Sequence, residues 1–177
     1  MSGQLQNLSN ANKGCTTYHV SKANHRNGWA ALVDQGANGG IAGSNTRIIN
    51  RGHKMKMIDL SGIDDHTVRN LQLVTVGAIV NSNRGKVIII LHHYADMRDG
   101  KTILSSGQME HYRVDVNDKS PTITRVTPSI SIGGYIIPIS IINGLAYINL
   151  RPFTDKEWDT PPHVPLMEDK DWDPRVL

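Results

Sequence analysis

The stretch Trp29-Ala30-Ala31-Leu32-Val33-Asp34-Gln35-Gly36-Ala37-Asn38-Gly39-Gly40 carries an apolar run straight into an acid and a cluster of glycines. Short apolar runs closed by such residues read as strands entering turns. A buried strand here delivers the Asp34 carboxylate into a tight turn, where Asp bonds its own backbone and Gly supplies unusual dihedrals. Taken alone, Asp-x-Gly after a strand is an ordinary turn, and its meaning depends on the rest of the chain.

Outward from this point the same pattern repeats. Apolar runs at Trp29–Val33, Thr46–Ile49, Met55–Leu60, Leu71–Val80, Lys86–Leu91, Thr102–Leu104, Thr122–Val126, Tyr135–Ile142 and Leu145–Leu150 are separated by Gly, Asn, Asp or Pro. Isoleucine and valine dominate them, and β-branched side chains suit a pleated sheet better than a helix. The fold class is therefore mainly all-β. Asn83-Arg84-Gly85 and Asn143-Gly144 read as hairpin connections. One short helix is expected at Ser106–Tyr112, capped by its first serine.

Four regions follow from composition. Residues 1–25 are polar and without periodicity, a flexible linker; 26–115 form the main β domain; 116–150 form a β-rich extension with a hairpin; 151–177 form an irregular acidic tail. Pro152, Pro161, Pro162, Pro165 and Pro174 argue against regular structure in that tail. Its two Lys-acid-Trp-Asp repeats, at Lys156–Asp159 and Lys170–Asp173, place tryptophans that either dock on a partner or fold back on the body.

The chain has 177 residues, room for one core, and a formal charge of +3. Residues 155–177 hold seven acids against three bases, a net of −4, which leaves the preceding 154 at +7. The bases of this body are scattered without an aromatic stripe, the pattern of a solvated surface. Cys15 alone excludes an intramolecular disulfide framework. The N-terminus lacks an apolar signal-peptide centre. The longest uninterrupted aliphatic run, Val87–Leu91, is far short of the ~20 residues that cross a bilayer. A cytoplasmic, reducing location with no membrane partner is expected.

Three other chemistries are set aside. Ala95–Thr102 ends in Gly-Lys-Thr but has Ala95 in place of the opening glycine of a phosphate loop, acids within it, and a strand after it. Gly36, Gly39, Gly40 and Gly43 miss the dinucleotide spacing. His92-His93 sit adjacent on a strand, where successive side chains point to opposite faces, so a shared metal is not expected. No cofactor and no metal are assigned.

The order of these features resembles the protease region of copia-type retrotransposon polyproteins, in particular the diatom branch. Asp34, Gly36 and Ala37 match the family's Asp-Ser/Thr-Gly-Ala motif. Leu104, Ser105, Gln108 and Met109 match its Leu-Leu-Ser-Val-x-Gln-Leu-like strand and helix. Gly144-Leu145-Ala146-Tyr147 is similar to the element that precedes the integrase, and Arg151–Asp159 to the linker beyond it, so the resemblance spans roughly 26–177. It implies a retropepsin-like acid protease barrel ending in one short helix. It also implies a substrate-covering flap within Leu60–Val76, an extended polypeptide substrate, and nucleic acid as a partner only through the polyprotein context.

The implied chemistry needs two carboxylates sharing a proton. Only one Asp-x-Gly is present: Asp64-Asp65 lack the glycine turn, and Asp99-Gly100 lack the intervening residue. Asp34 must then meet the Asp34 of a second copy on a twofold axis, and a homodimer is expected. Gln35, Gly36 and Ala37 would form the active-site loop, with Gly36 allowing close backbone approach and Ala37 leaving room at the axis. Gln35 departs from the family's Ser or Thr, whose hydroxyl ties the two loops together, and its longer amide does not reproduce that contact. The alternative reading is a catalytically silent dimerisation or peptide-binding domain. A third, a nucleic-acid-associated scaffold, rests on the basic body together with the polyprotein context that the resemblance implies, and would show salt-sensitive binding.

Overall fold

The longest elements are two strands of one hairpin. In the computed structural model, which describes residues 29–52, 56–62 and 65–176, β5 (Thr67–Ser82) runs antiparallel to β6 (Gly85–Asp96), with Ser82 opposite Gly85. The other strands are β1 (Ala30–Asp34), β2 (Ile41–Ala42), β3 (Arg47–Asn50), β4 (Met57–Ser61), β7 (Ile103–Ser105), β8 (Asp115–Asn117), β9 (Ser129–Ile132), β10 (Tyr135–Pro138), β11 (Ser140–Ile142), β12 (Leu145–Arg151) and β13 (His163–Pro165). Three short helices, α1 (Ser106–His111), α2 (Pro121–Thr124) and α3 (Asp155–Trp158), interrupt them. The fold is mainly β, as its composition predicts.

The large sheet closes on itself. Its order runs β12-β1-β7-β2-β6-β5, and β5 returns to β12 through Val80 opposite Leu150 and Ile79 opposite Arg151. Closure removes the free edges that a flat sheet exposes. The β1–β7 and β2–β6 pairs are parallel, and the other pairs around the ring are antiparallel. β3 and β4 continue along the edge of β5 that β12 leaves uncovered. β8, β9 and β10 form a second, three-stranded sheet whose Val116, Ile130 and Ile137 share the main core.

Alternation explains why the β6 run is uninterrupted. Val87, Ile89 and Leu91 point into the main core with Val76, Ala78, Leu104 and Ile148, whereas Ile88 and Ile90 belong to a separate cluster on the opposite face. Strands covered on both faces read as continuous apolar runs. The cover on that second face is Phe153, with Trp158 packed against it, both from the acidic tail.

The tail is therefore not the extended, solvated segment that its prolines suggest. β13 pairs in parallel with Ile88–Ile90 of β6, along the edge that two-residue β2 leaves open, and the Leu166 N–H donates to the Ile90 carbonyl at 3.0 Å. Val164, Leu166 and Met167 are buried in the main core. Prolines are tolerated because β13 is an edge strand with one hydrogen-bonded neighbour. α3 begins with a capping box between Thr154 and Glu157, and Arg151 grips the Glu157 carboxylate through two hydrogen bonds of 3.0 and 2.7 Å. Both tail tryptophans fold back: Trp158 packs between Phe153 and His163 of the tail against the cluster of Ile79, Ile88 and Ile90, and Trp172 reaches His111 and Tyr112 of the body.

Other expectations change locally. Thr122–Val126 is not a strand: the Ser120 side chain accepts the Thr122 N–H, Pro121 starts α2, and Arg125 ends it in the left-handed region. Tyr135–Ile142 breaks at buried Ile139 into β10 and β11, which belong to different sheets. The line at 115/116 does not divide the large sheet, since β12 pairs with both β1 and β5. Ser105, not Ser106, caps α1. The Asn143-Gly144 turn has φ of +50° and +78°, as a two-residue hairpin requires. Residues 1–25 with Cys15, together with Met55 and Asp64, lie outside the described residues. Among those described, no helix is long and apolar enough to cross a membrane.

Candidate active site

Asp34 is the last residue of β1, and parallel pairing sets it opposite Ser105 at the end of β7. β7 lies between β1 and β2, so the loop 35–40 must cross the end of β7. The loop starts as an Asx turn, with the Gly36 N–H donating to Asp34 Oδ1 at 2.7 Å. Ser105 Oγ then donates to the Ala37 carbonyl at 2.6 Å while accepting the Gln108 N–H that caps α1. Fully buried Gln108 closes the far end: its Oε1 accepts the Gly40 N–H at 3.1 Å and its Nε2 donates to the His92 carbonyl at 3.2 Å.

Tight packing fixes the same end. A Cβ on Gly40 would stand 2.1 Å from the ring of Tyr94, whose phenol is buried and held well above its ordinary pKa by that burial. Gly40 is glycine because a ring already occupies the space of its side chain. The Asp34 loop is thus anchored from β7, α1 and β6, while Gln35 and Gly36 at its tip remain exposed.

The four sequence-assigned residues lie together on this loop. Asp34 is half-buried, and among the described residues no cation pairs with it. Gln35 turns its amide to its own chain, with Nε2 donating to Asp118 Oδ1 at 3.0 Å just after β8. Gly36 carries the turn, and half-buried Ala37 offers its carbonyl to Ser105. Of the segment expected to supply a flap, Leu60–Val76, only the part up to Gln72 pairs in the β4–β5 hairpin, with Leu60 opposite Val68 and Ser61 opposite Thr67. Leu73–Val76 belongs to the barrel, paired with β6 and β3, with Val74 and Val76 buried in the main core where no flap can lift.

The phosphate-loop lookalike has a structural job: buried Thr102 receives the Gly43 N–H at 3.0 Å and bonds Asn45. The histidine pair departs from the alternating geometry of a strand. His93 has a φ of +57°, and the β5–β6 register slips between Val74 and Val76, a bulge that brings both rings toward Asp169, at 3.6 Å from His92 and 3.5 Å from His93. His92 Nδ1 also meets Thr75 Oγ1 at 2.9 Å. Burial lowers both imidazole pKa values, partly offset by Asp169. Among the described residues no group of three or more His, Cys, Asp or Glu side chains is arranged to hold a metal ion.

The sequence marks the carboxylate and, through the resemblance, Ser105 and Gln108, but not the loop's other supports. Asp118, Tyr94 and Trp172 reach the loop from positions that no local pattern connects to it, and the bulge that gathers the histidines carries no glycine or proline to mark it. No family model, no curated protein and no solved structure matches the chain.

Proposed function

We propose that this chain is a retropepsin-like aspartic endopeptidase that processes a retroelement polyprotein, active as a homodimer with Asp34 from each copy. The observation that supports it most is the placing of one half-exposed carboxylate at the mouth of a closed barrel. It is held by its own turn and unpaired with any cation among the described residues. One oxygen, Oδ1, closes the Asx turn on the Gly36 N–H, a bond that a purely structural turn also makes; no bond to a cation occupies the carboxylate among the described residues.

Two such groups brought together cannot both ionise cheaply, so the pair shares one proton and titrates as a unit. The ionised carboxylate takes a proton from water as the oxygen attacks the peptide carbonyl, and the protonated one donates to the carbonyl oxygen. Collapse then breaks the C–N bond: the carboxyl that took the water proton gives it to the amide nitrogen, and the other carboxylate takes a proton back from a hydroxyl of the tetrahedral intermediate, so the dyad again shares one proton. Substrate would lie extended, with its backbone hydrogen-bonded and its side chains in alternate pockets. Purified chain should cleave unstructured peptides at pH about 5, and Asp34→Asn should lower kcat by about a thousandfold; cleavage at the native rate by that variant would overturn the reading.

One observation favours the second reading, a silent peptide-binding or dimerisation domain: the Gln35 amide is engaged with Asp118 rather than left free to bridge two loops. Under that reading native chain binds extended peptide without cutting it, and Gln35→Thr restores turnover.

A further inference from the structure

The C-terminal segment 167–172 runs from the histidine bulge to the Asp34 loop and is pinned along its length. The His92 N–H meets Met167 Sδ at 3.1 Å, and Asp169 lies against both histidines. The Lys170 carbonyl accepts the Tyr112 hydroxyl at 3.3 Å, and Asp171 pairs with Lys56 at 3.3 Å. At its end the Trp172 indole N–H donates to the Asn38 carbonyl at 2.8 Å, across 134 positions of sequence. The ring lies tilted against His111 and Tyr112, with centroids 5.2 and 6.2 Å away, and alongside Gly39.

We propose that Trp172 is a positioning residue for the Asp34 loop. The loop is gripped from two sides, by Gln108 through the Gly40 amide within the barrel and by Trp172 through the Asn38 carbonyl on the outside. Both grips lead back to the same bulge, because Gln108 donates to the His92 carbonyl and the strap begins at the His92 N–H. A bond to the backbone of the loop acts on its path rather than on substrate, so Trp172 sets where Asp34 points without touching the reacting atoms. The consequence for turnover rests on the proteolytic reading; the consequence for loop order does not.

Hydrogen exchange on the full chain separates the two. Trp172→Phe keeps an aromatic ring against His111 and Tyr112 and loses the donor, so amides within 36–40 should exchange about fivefold faster, the loss of one net hydrogen bond, while β5–β6 amides keep their native rates. Trp172→Ala should raise the loop rates further. In cleavage of an unstructured peptide, Trp172→Phe should lower kcat and leave KM near native. If no form of the chain cuts peptide, the proteolytic reading fails and local exchange still decides the role of the indole. Loop exchange unchanged in both variants, or a rise matched equally across β5–β6, would overturn it.

Discussion

The Asp34 loop and the segment 151–176 meet at one hydrogen bond between Trp172 and Asn38, yet they differ in how their structure is encoded. The loop announces itself: an apolar strand, an acid and a glycine turn stand next to one another in sequence, and the Asx bond forms within three residues. The tail announces the opposite of what it does. Its prolines and acids describe a solvated linker, but Phe153, Val164, Leu166 and Met167 are spaced so that each reaches a face the barrel leaves open. Chemistry can be signalled by neighbours in sequence, whereas the packing that makes it usable is supplied from a distance.

That contrast can be attacked first where the tail enters the core. Leu166 is fully buried, so Leu166→Ala should cost about 2–5 kcal/mol in denaturant unfolding. A change within about 0.5 kcal/mol would return the tail to solvent. Next comes the loop's own anchor. Gly40→Ala forces a methyl group into the Tyr94 ring and should cost about 1–3 kcal/mol in the same measurement, with backbone shifts reaching the Gln108 contact; an unchanged unfolding midpoint would mean the loop is not packed against β6.

The histidine bulge, where tail and loop supports converge, predicts a smaller effect of pH. His92 and His93 face each other, Asp169, Asp171 and Lys56, and burial lowers both pKa values in the folded state despite the acids. Folding then favours the neutral rings. Their contribution is present above the ordinary imidazole range, near 6.5, and is lost as pH falls through it. The Tm of the native chain should drop between pH about 7.5 and 5.5, and His92→Gln with His93→Gln should flatten that slope. A Tm that rises on acidification over this window would mean the Asp169 attraction outweighs burial.

Most strands were legible because their alternation is local. Val87–Leu91 read as strand from its β-branched residues, and the two hairpin turns from Asn and Gly. Thr122–Val126 misled because its β-branched composition was outweighed by a Ser-Pro helix start. The histidines misled because strand alternation assumes regular pairing, and a bulge gives one residue a left-handed backbone. For the candidate site, Asp34, Gln35, Gly36 and Ala37 could be named from adjacency alone. That Gln35 turns to Asp118, that Tyr94 fills the space beside Gly40 and that Trp172 holds Asn38 depend on how a closed barrel brings distant strands together.

The central claim is a dyad made of one Asp34 from each of two copies, and subunit mixing tests it most directly. When native chain is equilibrated with an equal amount of Asp34→Asn chain at constant total concentration, random pairing leaves about one quarter of the dimers with both carboxylates, so peptide cleavage should fall to about one quarter of the all-native rate. A fall to about one half, as independent sites would give, would contradict it.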